Sequence, residues 1–234
     1  MSDVAAALRR TAARYRSCPR FTRHYVASKL RHDPIHLALL GLAQEASFGH
    51  VVDVGCGRGQ MAVALLEAGL ASSVTGLDWA GGSLADLERA GAGLAVEIIT
   101  RDLASDFRVP AGDTVLVIDV LYTMERQAAL GLLKAAADAA RERILVRSLD
   151  ASAGWRGRFS LLIERLARPF WPHAGRTVDP LPLGNLTDVL KERGFAVQTQ
   201  PCWGRTPFAN VLIVGERWPK PAGASAGSPS RLRP

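Results

Sequence analysis

Along the chain, short continuous apolar runs alternate with stretches whose apolar residues fall three and four apart, the rhythm of buried strands joined by amphipathic helices. The runs are Val51 to Val54, Ser73 to Asp78, Ala95 to Thr100, Thr114 to Met124 and Arg143 to Leu149. Each is followed by a helical pattern, and the fourth is apolar almost without interruption, as a strand covered on both faces reads. A helix over Gly184 to Arg193 comes next, and Phe195 to Gln200 with Asn210 to Arg217 read as a hairpin around Pro201 to Ala209. The pattern predicts an α/β fold: a doubly wound, seven-stranded, mostly parallel sheet with a C-terminal antiparallel hairpin.

The first strand stops at Asp53-Val54-Gly55-Cys56-Gly57-Arg58-Gly59, where three alternating glycines precede a helical start at Gln60 and Met61. Glycine at 55, 57 and 59 lets the backbone turn sharply and lie against a ligand, because a Cβ there holds the ligand off the main chain. Asp53 interrupts an apolar run, where an unpaired carboxylate is costly, so it orders the loop's amides or holds a polar ligand. Dinucleotide-binding loops space their glycines G-x-G-x-x-G, and Gln60 stands where the third is needed. The second strand ends in Asp78, placed to accept hydrogen bonds from both hydroxyls of a ribose, with the face of Trp79 beside it for an adenine ring. Asp119 lies at the carboxyl end of the fourth strand, where open parallel sheets bind ligands.

The glycine loop, Asp78 and the Arg101-Asp102-Leu103 turn together resemble the cofactor motifs of class I S-adenosylmethionine-dependent methyltransferases, over roughly residues 35–217. The resemblance implies a Rossmann-like sheet, S-adenosyl-L-methionine as cofactor, no metal, an adenine amino group taken by Asp102 and a ring met by the amide of Leu103. In that family Cys is common at the place of Cys56, which here packs as a small apolar side chain. Many members carry Asp-Val-Leu-Glu-His after the fourth strand. This chain has Asp119-Val120-Leu121-Tyr122-Thr123, so a role for that His does not carry over, and Tyr122 is either a catalytic candidate or part of the pocket wall. An Asn/Asp-Pro-Pro-Tyr motif is missing there, which points away from amino groups of nucleic acids and glutamine side chains and toward small molecules.

Composition fits one such domain: 234 residues at 48% hydrophobic bury a sizeable core. The net charge of +7 sits at the ends. Residues 1–34 hold eight Lys and Arg against two acids, and 219–234 hold three against none; removing six and three from +7 leaves −2 for 35–218, so no nucleic-acid groove is expected. The chain thus divides into a basic N-terminal helical segment (1–34), a methyltransferase domain (35–218) and a disordered tail rich in Pro, Gly, Ala and Ser (219–234). Three cysteines without metal-type spacing fit reduced thiols, and no apolar run reaches transmembrane length, so a cytoplasmic location is expected. Two readings of the N-terminal segment compete. Either it folds over the cofactor, with Arg23, Tyr25 or Lys29 meeting the methionine carboxylate or an acidic acceptor, or it docks Phe21, Tyr25 and Leu30 on the core with its charges outward; contact with anionic lipid is a third.

The insert 150–183 is the expected acceptor cap. Phe159, Leu162, Ile163 and Leu166 fall at helical spacing, with Trp155, Trp171, His173 and Arg176 around them. These aromatics either close an acceptor pocket or form the cap's own small core. His173, the sole histidine beyond residue 50, is a general-base candidate or a simply exposed side chain. The stretches Cys18 to Val26, Val146 to Asp150, Gly154 to Arg156 and Thr206 to Leu212 resemble bacterial methyltransferases of aryl-polyene and related polyketide pigment pathways. That likeness implies an aromatic or acyl acceptor, free or presented on an acidic acyl carrier protein that meets the basic N-terminal face. An NAD(P)-dependent oxidoreductase and a non-catalytic cofactor-binding relative acting through a protein partner are the alternatives.

Overall fold

Parallel pairing places β1 (His50–Val54) between β2 (Ser73–Asp78) and β4 (Gly112–Ile118), with β3 (Val96–Thr100) on the outer edge of β2 and β5 (Ala140–Leu149) on the other side of β4. β7 (Asn210–Arg217) runs antiparallel between β5 and β6 (Phe195–Pro201), giving the order β3-β2-β1-β4-β5-β7-β6. The computed structural model describes residues 2–79, 81–167 and 178–217. The seven-stranded, mostly parallel sheet with its terminal antiparallel pair is the expected fold. Because successive strand residues point to opposite faces, Val115, Val117, Ile144 and Val146 enter one core with α6 (Arg126–Ala139) and α8 (Leu183–Glu192). Leu116, Leu145 and Leu212 enter the other with α3 (Ile35–Glu45) and α4 (Gln60–Glu67).

Ahead of the sheet, α1 (Ser2–Arg14) lies along α4, burying Ala7 and pairing Arg10 and Arg14 with Glu67. The hydroxyl of buried Tyr15 donates to the Arg58 carbonyl oxygen at 2.6 Å. A three-way contact secures α2 (Arg20–His32): Thr22 donates to Asp86 of α5 (Gly82–Gly91) at 2.7 Å, and Arg58 donates to Thr22 at 2.7 Å and pairs with Asp86. The helix buries Thr22, Val26 and Leu30, whereas Phe21 and Tyr25 stay on its exposed side. The docking expected for those two rings is therefore replaced by one through the neighbouring 22/26/30 stripe.

Two local expectations are corrected. The apolar run Thr114 to Met124 is not one strand: β4 ends at Ile118, Asp119 takes a left-handed conformation (φ 61°), and Leu121–Thr123 form a turn of 3₁₀ helix. A fully buried helical turn is as apolar as a buried strand, so periodicity alone does not separate them. In the insert, α7 (Gly154–Ala167) forms, but Trp155, Leu162 and Leu166 are 61%, 54% and 62% exposed. Its contacts instead come through Phe159, whose ring is tilted against Phe208 at 6.0 Å, and Arg156, whose guanidinium sits 5.2 Å from the Trp203 ring and donates to the Thr206 carbonyl.

Candidate functional site

The cleft opens at the carboxyl ends of β1, β2 and β4, with a volume of about 470 Å³, inside the range of small-molecule sites. Its floor on one side is the glycine loop, and the three glycines do different jobs there. A Cβ on Gly55 would lie 2.2 Å from Val120 Cγ2, and one on Gly59 2.2 Å from Leu87 Cδ1, so these two glycines are required by the protein's own packing. Only at Gly57, with φ +55°, does a Cβ point into open space, 4.0 Å from Asp78 Oδ2. The loop was expected to need all three for ligand approach; only at Gly57 is the space beside the backbone left open.

Asp78 organises this half of the cleft. Its Oδ2 accepts the Gly57 amide at 2.6 Å and its Oδ1 accepts the Trp79 amide at 2.7 Å, so the carboxylate at the end of β2 sets the height of the glycine loop. Of the two roles expected for Asp53, ordering the loop's amides or holding a polar ligand, the first is not seen: Asp78 takes the Gly57 amide, and no donor among the described residues reaches the Asp53 carboxyl. It is buried, and burial together with the negative charge of Asp78 pushes its pKa up to about 7. Beyond β3, Asp102 lines the cleft while accepting the Ala104 amide at 3.0 Å, and Leu103 forms an apolar wall. Every predicted cofactor residue except Gly59 lines the cleft: Asp53, Gly55, Cys56, Gly57, Asp78, Trp79, Asp102, Leu103 and Asp119. Cys56 packs against the space above Gly76, and burial raises its thiol pKa well above the ordinary value.

The other half is built from charged residues that are distant in sequence. Arg147, on β5, is 2% exposed and spans two carboxylates: it donates to Asp119 through Nε at 2.9 Å and to Asp33 through Nη2 at 2.9 Å, with a further bond to each. Alternation along β5 aims Arg143, Leu145 and Arg147 at the α3 side, which brings Arg147 to the Asp33-Pro34 corner between α2 and α3. Burial works against ionised Asp33, yet the Arg147 guanidinium holds its carboxyl well below the usual range. Lys29 pairs with Asp33 at 3.2 Å; burial pulls its ammonium pKa down, but Tyr25, Asp119 and Asp33 outweigh that and leave it raised. Phe21, Tyr25, Lys29 and Asp33, each four residues apart, form the stripe of α2 and its C-terminal corner that roofs the cleft. The Phe21 and Tyr25 rings lie 6.2 Å apart with Arg58 over both.

His36, at the start of α3, also lines the cleft and is 1% exposed. Its Nε2 and the Oε1 of Gln60 are buried without a hydrogen-bond partner among the described residues. Arg147, Asp33 and His36 were not singled out from sequence. The signal for Arg147 was present: a charged residue inside an apolar strand, the same signal that marked Asp53.

The catalytic candidates fall differently. Tyr122 is buried in the 3₁₀ turn and does not line the cleft, whereas its neighbours Thr123 and Met124 do. Burial and the Asp119 charge raise its phenol pKa well above the ordinary value. His173, with Trp171 and Arg176, lies outside the described residues, as does the tail 219–234. No described residue of α7 lines the cleft, and Arg23 is exposed away from it. Among the described residues no group of three or more His, Cys, Asp and Glu could hold a metal ion, and no helix is long and apolar enough to cross a membrane.

Residues 51–143 match the family model of a methyltransferase domain. No curated protein sequence matches the chain. Among solved structures, the chain is similar to magnesium protoporphyrin IX methyltransferase from Synechocystis PCC 6803 with bound S-adenosylhomocysteine (20% identity, TM-score 0.59, 78% of this chain and 80% of that one). It is also similar to the S-adenosylmethionine-dependent methyltransferase SibL (27%, TM-score 0.63, 84% of this chain and 57% of that one). The pyocyanin biosynthetic protein PhzM is a third (26%, TM-score 0.61, 88% and 61%). The chain spans about six-tenths of the length of the latter two.

Proposed function

We propose that this chain is a class I S-adenosylmethionine-dependent methyltransferase, as its methyltransferase-domain match and similar structures support, and that it methylates a small-molecule acceptor held at the β4–β5 end of the cleft. The observation that carries this reading is the division of the cleft into a nucleoside half, built on the glycine loop and Asp78, and a separate charged half under α2. In the first half, Asp78 accepts the ribose hydroxyls, Trp79 and Leu103 flank the adenine, and Asp102 takes its amino group. Gly57 leaves room for the backbone to approach the ligand. The Gln60 Oε1 is a buried acceptor without a donor among the described residues and, with the Asp53 carboxyl in the same cleft lining, it suits the cationic methionine part of the cofactor. Bound S-adenosylmethionine supplies an electrophilic methyl on its sulfonium. The protein's part is alignment of the acceptor and exclusion of water, for which the roof of Phe21, Tyr25 and Lys29 is suited.

The acceptor we infer is an aromatic metabolite. Phe21 and Tyr25 offer a stacked aromatic edge at the mouth of the cleft. Two similar structures, named for magnesium protoporphyrin IX and for pyocyanin biosynthesis, support a metabolite rather than a macromolecule. Binding is tested by thermal unfolding with S-adenosylhomocysteine, NAD and NADP. Ligand at about 100 times its dissociation constant adds roughly 2.7 kcal/mol. A shift with S-adenosylhomocysteine alone, lost in Asp78→Ala, is expected; a shift with NAD, or none, refutes the assignment.

A further inference from the structure

The charged half of the cleft says what kind of acceptor it takes. We propose that His36 is an acceptor-binding residue whose Nε2 accepts a hydrogen bond from an uncharged hydroxyl, so that the methyl acceptor is a phenol or alcohol and not a carboxylic acid. This rests on the function proposed above and specifies its acceptor.

Three observations support it. First, His36 Nδ1 lies 3.4 Å from the Asp33 carbonyl oxygen. A carbonyl only accepts, so the hydrogen sits on Nδ1 and Nε2 presents a lone pair. Second, that Nε2 is buried in the wall of the cleft with no donor among the described residues to meet it. An acceptor buried without a donor is costly, and an incoming ligand that carries the donor removes the cost. Burial holds the imidazole pKa down to about 4, which keeps the ring neutral and the lone pair available at neutral pH. Third, the charges around it cancel. Lys29 and Arg147 are matched by Asp33 and Asp119, and Arg147 already spends its guanidinium on both carboxylates. Arg58, the third cation among the described residues lining the cleft, pairs with Asp86, so none of these cations is free to neutralise a carboxylate ligand, whose burial beside Asp33 and Asp119 is unfavourable. A neutral hydroxyl that donates to His36 fits the balance without disturbing it.

The test uses the full chain saturated with S-adenosylhomocysteine, titrated calorimetrically with 2-naphthol and, as a shape-matched acid, 2-naphthoate. Naphthol is expected to bind at least about tenfold more tightly than naphthoate, the worth of one good hydrogen bond. His36→Leu is expected to lose about tenfold in naphthol affinity. His36→Gln, whose amide oxygen reaches the place of Nε2, restores most of it, and both variants keep wild-type affinity for S-adenosylhomocysteine. In the wild-type protein the imidazole ¹⁵N resonance of Nε2 moves on naphthol addition as a newly hydrogen-bonded acceptor does. The proposal is overturned by naphthoate binding as well as naphthol, by failure of naphthol to bind the loaded protein, by unchanged naphthol affinity in His36→Leu, or by an unmoved Nε2 resonance. Failure of S-adenosylhomocysteine to bind the wild-type protein would instead refute the cofactor assignment.

Discussion

The two halves of the cleft are built by opposite strategies. The nucleoside half is local: Asp53 through Gln60 form one turn, and Asp78 reaches back across a single strand–helix–strand unit to bind the Gly57 amide. The β4–β5 half is assembled from the ends of the chain's order, with Arg147 bonded to Asp33 across 114 positions of sequence and to Asp119 across 28. The local half depends on backbone conformation and tolerates change at few atoms. The distant half depends on a buried cation shared between two acids, and removing that cation leaves Asp119 without its partner. On the proposed function, cofactor recognition is carried by geometry that one loop can encode, whereas the acceptor side rests on tertiary contacts between distant parts of the chain.

Breaking the distant half should cost most. Arg147→Leu leaves Asp33 and Asp119 facing each other beneath α2, and a loss of about 3–5 kcal/mol is expected, read from the urea midpoint at constant slope. If Arg147→Leu unfolds with wild-type stability, the triad is not what holds the roof. The glycines sharpen the local half. Gly55→Ala forces a Cβ onto Val120 and is expected to destabilise by about 2–3 kcal/mol. Gly57→Ala meets nothing closer than 4.0 Å and pays only the left-handed conformation, about 1 kcal/mol, while losing affinity for S-adenosylhomocysteine. Equal stability losses in the two variants would contradict the division of labour among the glycines.

The smallest effect is on pH. The folded pKa of Asp53 is raised to about 7, above its unfolded value near 3.9, so the native state holds this proton more tightly than the unfolded chain. Its contribution to stability is therefore present at low pH and is lost as pH rises from about 4 to about 7. His36 acts in the opposite sense: its folded pKa of about 4 lies below the unfolded value near 6.5, so its contribution is present above that value and is lost as pH falls toward 4. The stability difference between wild type and Asp53→Asn is expected to change by roughly 1–2 kcal/mol across pH 4–7, because Asp53 faces an open cleft. Bound S-adenosylhomocysteine should flatten it, and a pH-independent difference would place the carboxyl in water.

Legibility in the sequence followed the same division. Asp78 and Asp119 were readable because each ends an apolar run, and in a parallel sheet the ends of such runs converge on one edge; Asp102 came only from the resemblance of its turn to the methyltransferase motif. The strand–helix rhythm set the sheet in the same way. Arg147 carried a comparable mark, but only the alternation of β5 together with the position of α3 shows that it meets Asp33. His36 had no mark of its own, since one histidine near a helix start is unremarkable until its neighbours are known. Tyr122 was misleading for a related reason: its place after β4 is right for a cleft residue, yet the 3₁₀ turn rotates its ring inward and presents Thr123 instead.

By itself, then, the sequence determined the order of elements, the parallel sheet and the residues that line the cleft around the glycine loop, because hydrophobic period and glycine conformation act over a few residues. The tertiary structure alone decided which helix roofs the cleft, which charges cancel within it and which buried atom is left wanting a donor. Those properties depend on desolvation and on distances between groups up to 114 residues apart, and no local pattern encodes them.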